Sequence, residues 1–125
     1  MARIYKTTDK ITYKLGDIEV KISPLSVEDK MIITEYMTEA EKGSLRAMMG
    51  GSIHAIKSCV KDITGIENED GSPYKLEFDG VHLSQNCIDT LMNIEISNKL
   101  IQLCTSFVSG VPTNLPDGIS IVPKT

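Results

Sequence analysis

The chain has 125 residues, 41% of them hydrophobic and 24% charged, with 13 Lys and Arg against 17 Asp and Glu for a formal net charge of −4. That length suits one domain with a core of its own and is too short for two ordinary ones, and the apolar share excludes a wholly disordered chain. The acidic balance argues against a duplex-binding surface, which needs clustered basic charge, and no stretch reaches the ~18 uninterrupted apolar residues of a membrane span.

The opening residues, Met1-Ala2-Arg3-Ile4-Tyr5-Lys6, run into polar Thr7-Thr8-Asp9 without the apolar segment of a secretory leader, so an intracellular protein is expected. Between Ile11 and Ile22 the apolar residues alternate: Ile11, Tyr13, Leu15, then Ile18, Val20, Ile22. Gly16-Asp17 stands between the two runs, a two-residue loop with glycine first, which predicts a hairpin pairing Leu15 with Ile18, Tyr13 with Val20 and Ile11 with Ile22. Lys14 then faces Glu19 on the polar side.

Pro24 ends the second strand, and Ser26 followed by Asp29 three residues later marks a capped helix start. A helix from about Val27 to Glu41 is expected, with Val27, Met31, Tyr36, Met37 and Ala40 supplying most of an apolar stripe, until Gly43-Ser44 interrupts it. Leu45 to Met49 reads as a short apolar stretch ended by the flexible Gly50-Gly51. Ser52 caps a second predicted helix carrying Ile53, Ile56, Val60 and Ile63, with Gly65 as its stop. From Ile66 to Gly80 the chain is acidic and turn-rich; Asp70-Gly71-Ser72-Pro73 is a turn, and Tyr74, Leu76 and Phe78 alternate like a short extended segment. Helices are predicted from Ser84 to about Asn93 and from about Glu95 to Ser109, where Gly110 stops the second one and Pro112, Pro116 and Pro123 keep the remainder extended. The sum is one α+β domain over residues 1–110, an N-terminal β-hairpin followed by four or five packed helices, with an extended Pro-containing tail over residues 111–125.

Catalytic and metal-binding patterns fail one by one. Cys59, Cys87 and Cys104 cannot all pair within the chain and each lies in an apolar stretch of helical character, so they read as buried free thiols of a reducing compartment. His54 with Cys59, and His82 with Cys87, share a five-residue spacing, but on a helix that step turns a side chain by roughly 140°, away from a shared zinc ion. An EF-hand aligned on Gly71 would put Ile66, which has no side-chain oxygen, at its first position. No Gly-x-Ser-x-Gly elbow or phosphate-binding glycine loop occurs, and Glu67, Glu69 and Asp70 sit in an open acidic loop that would not tune a general acid. Two Phe, four Tyr and no Trp leave no stacking platform for single-stranded nucleic acid, and Arg3, Lys6, Lys10, Lys14 and Lys21 read as a solvated strand face. No catalytic residue, cofactor or metal site is therefore predicted.

The run Val20-Lys21-Ile22-Ser23-Pro24-Leu25-Ser26-Val27-Glu28-Asp29-Lys30 reads as strand, proline and capped helix. Ala55-Ile56-Lys57-Ser58-Cys59-Val60-Lys61-Asp62-Ile63 and the acidic Leu76-Glu77-Phe78-Asp79 follow. This order resembles the small tail-assembly chaperones of tailed bacteriophages, and more specifically the baseplate hub assembly proteins of T-even-type phages, over roughly residues 11–105. One departure is Ser23, where the hub proteins commonly carry a basic residue before the proline. The resemblance implies a non-catalytic protein of the host cell cytoplasm that binds other phage tail proteins, such as tape measure, tube or baseplate hub subunits, during virion morphogenesis. The alternative it leaves is a structural baseplate or tail-hub subunit retained in the mature virion tail. It implies no cofactor, nucleic acid or membrane, and leaves self-association into a homo-oligomer open. Candidate partner-binding residues are Leu45, Met48 and Met49, an adaptable apolar segment beside the double glycine, together with Tyr13 and Val20 on the hairpin, whose strand edge is expected to be open for pairing. The tail from Val111 to Thr125 is a third candidate, able to order on a partner.

Overall fold

The alternating run from Ile11 to Ile22 forms the hairpin its pattern predicts. In a computed structural model that describes residues 4–123, strands β1 (Ile11–Leu15) and β2 (Ile18–Ile22) pair antiparallel, with Leu15 opposite Ile18, Tyr13 opposite Val20 and Ile11 opposite Ile22. Gly16 takes a φ of 65° in the turn, a conformation that a side chain would strain. Arg3 of the basic N-terminal stretch and the last two residues of the expected tail lie outside the described residues.

Helix α1 (Val27–Glu41) begins where Ser26 caps it: the hydroxyl accepts the Asp29 N–H at 3.1 Å, and Glu28 and Asp29 place negative charge in the first turn. The expected apolar stripe of α1 is not core. Ile33 is the buried residue of this helix, while Val27 is 73% and Met31 60% exposed, because Ile33 belongs to a different helix face from Val27 and Met31.

Helix α2 (Leu45–Cys59) starts at Ser44, whose hydroxyl accepts the Ala47 N–H, and runs straight through Gly50-Gly51. The expected break before Ser52 does not occur, and the glycines act as a contact surface. A Cβ on Gly50 would lie 2.6 Å from Cε1 of Tyr36, and one on Gly51 would lie 3.2 Å from its Cβ. Their bare backbone is what lets α1 and α2 approach so closely.

Strand β3 (Val60–Thr64) replaces the expected end of that helix. It pairs antiparallel with β2, with Val60 opposite Ile22 and Ile63 opposite Val20. A bulge at this pairing lets Val60 and Ile63, three residues apart as on a helix face, both point into the core. The acidic connector holds a turn in which Asp70 accepts the Ser72 N–H at 2.9 Å, and Glu67 bridges to Pro73. It then closes into a two-residue ladder of β4 (Phe78–Asp79) and β5 (His82–Leu83). Helix α3 (Gln85–Leu91) is capped by Ser84, and α4 (Ser97–Ser106) passes through a 3-10 turn at Phe107–Ser109 to Gly110.

Strand β6 (Ile119–Ile121) lies within the segment expected to trail as a tail. It pairs with β1, Ile119 opposite Leu15 and Ile121 opposite Tyr13, and the Val122 N–H donates to the Thr12 carbonyl at 2.8 Å. The sheet is therefore four antiparallel strands in the order β3-β2-β1-β6. Both outer edges of the hairpin are occupied, so the open hairpin edge expected from sequence is not there. Four α-helices, among the described residues, complete an α+β fold.

One core joins the apolar sheet face, Ile11, Tyr13, Leu15, Val20, Ile22, Val60 and Ile63, to Ile33, Ile56, Ile88, Leu100, Leu103 and Phe107 from the helical segments. Tyr13 meets Phe107 edge-on, ring centroids 6.1 Å apart at 88°. Among the described residues no helix is long and apolar enough to cross a membrane.

Candidate functional site

Capping geometry positions the first group of interest. Asp29 is the third residue of α1, and its Oδ2 accepts the Ser26 hydroxyl at 2.9 Å while its own N–H returns to Ser26 Oγ. The carboxylate is thereby turned so that Oδ1 faces away from the cap. His54, on the C-terminal half of α2, brings Nε2 to 2.9 Å from that oxygen, and His82, the first residue of β5, brings Nε2 to 3.3 Å. Three elements distant in sequence thus converge on one oxygen atom.

The cluster is half-buried, with side-chain exposures of 18% for Asp29, 15% for His54 and 34% for His82. The two rings lie 5.5 Å apart between centroids and are tilted by 56°, so two ring edges, not a stacked pair, face the carboxylate. Burial acts to raise the Asp29 pKa, but hydrogen bonds from His54, Ser26 and His82 and the charge of His54 outweigh it and hold the carboxyl below its ordinary value. A cavity of about 210 Å³ lined by Tyr36, Gly50, Ile53, His54, Lys57 and Gln85 opens beside the cluster. Two imidazole nitrogens and a carboxylate oxygen, each within 4.8 Å of the others, are a donor set that can hold a metal ion.

The pairs weighed in the sequence do not form. Cys59 is buried with its Sγ directed at the Cys104 carbonyl, 3.9 Å away, and Cys87 Sγ accepts the Tyr74 hydroxyl at 3.3 Å. All three cysteines are free and buried, and burial pushes the Cys104 thiol well above its ordinary pKa. His54 and Cys59 share helix α2, where a five-residue step sets them on different faces, whereas His82 lies in β5 and Cys87 in α3, so helical spacing does not govern that pair, nor does it bear on the two histidines meeting each other. In the sequence Asp29 is visible only as a capping residue, and no local spacing links positions 25 and 53 residues away to it.

The candidate docking residues divide. Tyr13 and Val20 are core, 1% and 0% exposed, which removes them from any surface. Leu45, Met48 and Met49 are 77%, 54% and 46% exposed on the first turns of α2. Met48 and Met37 line a shallow groove of about 390 Å³ with Gly51 and Ile101. Met31 of α1 is exposed as well, a residue the sequence had assigned to the core stripe.

Comparison with protein families, with curated proteins and with solved structures finds no match for this chain.

Proposed function

We propose that this protein is a non-catalytic assembly protein of a phage tail or baseplate, which binds other tail proteins during morphogenesis in the host cytoplasm. The phage setting rests on the resemblance carried by Val20–Lys30 and Ala55–Ile63. What supports a binding role is one observation: Leu45, Met48 and Met49 stand exposed together at the start of α2, beside the Met37 groove. Covering one such side chain fully contributes about 1.5–3 kcal/mol, against ~8 kcal/mol for a micromolar complex. These residues therefore supply a large share of a moderate interaction, and methionine's unbranched chain adapts to more than one partner surface. A non-catalytic reading also agrees with the thiols, all three of which are buried.

The test is co-expression with the tape-measure, tube and baseplate hub proteins of the same phage, one at a time. The chain should raise the soluble yield of at least one of them, and Leu45→Glu with Met48→Glu, both at exposed positions, should abolish that rescue while leaving the fold intact by circular dichroism. Rescue unchanged by the double variant, or no rescue of any of the three, refutes the reading. A protein inventory of purified particles decides between the transient chaperone and the alternative: a fixed complement of this chain in the particle makes it a structural subunit.

A further inference from the structure

We propose that Asp29, His54 and His82 form a binding site for a single divalent transition-metal ion of the zinc class, which ties the start of α1, the body of α2 and the β4–β5 ladder together. A tetrahedral zinc ion takes imidazole nitrogens at about 2.0–2.1 Å and carboxylate oxygens at about 2.0–2.2 Å, which sets ligand atoms roughly 3.3–3.5 Å from one another. Here the two nitrogens lie 2.9 and 3.3 Å from Asp29 Oδ1, and the three ligand atoms are all within 4.8 Å. The two nitrogen–Oδ1 separations already lie within about half an ångström of that spacing, and the two nitrogens, no more than 4.8 Å apart, have at most about 1.5 Å to close, a distance within reach of side-chain rotation.

Three further observations support a site over a passive polar contact. Ser26 donates to the outer carboxylate oxygen and so holds Asp29 in orientation, the supporting role that a hydrogen-bonded partner plays around ligating carboxylates. The three side chains are each 15–34% exposed, enough for an ion to enter and for water to fill a fourth position. The donors are two nitrogens and one oxygen, a set that suits zinc, cobalt, nickel or copper and is unsuited to calcium or magnesium, which prefer oxygen throughout. On binding, each imidazole must present the lone pair of Nε2, so its proton resides on Nδ1 or leaves to solvent. The ion then replaces two N–H···O hydrogen bonds by three coordinate bonds.

The consequence is mechanical. His82 sits next to the acidic connector, and among the described residues β5 pairs with β4 and not with the four-stranded sheet. An ion at this site clamps that ladder to α1 and α2. It does so on surface distinct from Leu45, Met48 and Met49, so the metal site stands or falls independently of the proposed assembly role.

The test uses the full chain, stripped of metal with a chelator and kept reduced. Calorimetric titration with zinc at neutral pH should show one ion per chain, and a hundredfold excess over Kd should raise the unfolding midpoint by roughly 5–10 °C. Cobalt(II) should give the visible bands of a four- or five-coordinate nitrogen and oxygen site with no thiolate charge-transfer band. His82→Gln, His54→Gln and Asp29→Asn should each weaken zinc at least about tenfold. His82, the most exposed of the three, is the variant least able to disturb folding, and circular dichroism of the metal-free variants checks this. Three results overturn the proposal: no zinc binding at 100-micromolar-range concentrations (~10⁻⁴ M, weaker than ~5.5 kcal/mol), zinc binding of wild-type strength in His82→Gln, or a cobalt spectrum dominated by thiolate, which would place the ion on a cysteine.

Discussion

Tyr13 offers the sharpest test of the core. Its ring is 1% exposed and lies edge-on to Phe107, while its hydroxyl is buried with no hydrogen-bond partner among the described residues. An unsatisfied buried hydroxyl carries a desolvation cost of about 1–3 kcal/mol. Tyr13→Phe removes that oxygen and keeps the ring contact, so at neutral pH the variant should be as stable as the wild type or more stable by up to about 1.5 kcal/mol. The same burial, with like-charge effects from Tyr5, Cys59 and Cys104, pushes the Tyr13 pKa from 10.0 up to about 12. The unfolded chain therefore releases this proton first. Stability from Tyr13 is present below pH 10 and falls as pH rises through 10, by about 1.4 kcal/mol at pH 11 and about 2.3 kcal/mol at pH 12, toward a limit of about 2.7 kcal/mol at higher pH. Urea denaturation followed by circular dichroism, with reductant present, at pH 7 and pH 11 measures both effects. Wild type should lose about 1.4 kcal/mol more than Tyr13→Phe over that interval. A variant that is destabilised by more than ~1 kcal/mol at pH 7, with an unchanged alkaline slope, would mean the hydroxyl has a partner and the reasoning is wrong.

Gly50→Ala should destabilise the protein by about 1 kcal/mol, because the methyl meets the Tyr36 ring at 2.6 Å and displacing the ring outweighs the helix-propensity gain. In a Tyr36→Ala background the same change should stabilise by about 1 kcal/mol, and a double-mutant cycle in urea reads the difference. Ile119→Ala, which truncates a residue 7% exposed in β6, should cost about 2 kcal/mol and speed amide exchange at Val122; unchanged exchange would show that β6 does not hold the sheet edge. Thiol-reactive dye should label Cys59, Cys87 and Cys104 only as fast as the protein opens, since all three are buried. Immediate labelling of any of them in the native protein contradicts that burial.

What was legible in the sequence was local. A period of two broken by Gly16-Asp17 defines the β1–β2 register, since only one pairing puts every apolar residue on one face. Ser26 with Asp29, Ser84 before α3 and Gly110 after the 3-10 turn mark boundaries through bonds made within three or four residues. The exposed Leu45, Met48 and Met49 were visible as an unusual apolar segment, though exposure itself was not.

Tertiary contacts decided the rest. Gly50-Gly51 reads as a break by propensity, yet it is continuous helix because Tyr36 packs on it from α1. Val60–Thr64 carries apolar residues at helical spacing, and it becomes a strand because the edge of β2 supplies the hydrogen bonds. Residues Ile119–Ile121 fold only against β1, more than a hundred positions earlier in the chain (119 against 15). Asp29, His54 and His82 meet for the same reason. Each is placed by its own element, and only the packing of those elements, through buried surface that no short window contains, brings their donor atoms to one point.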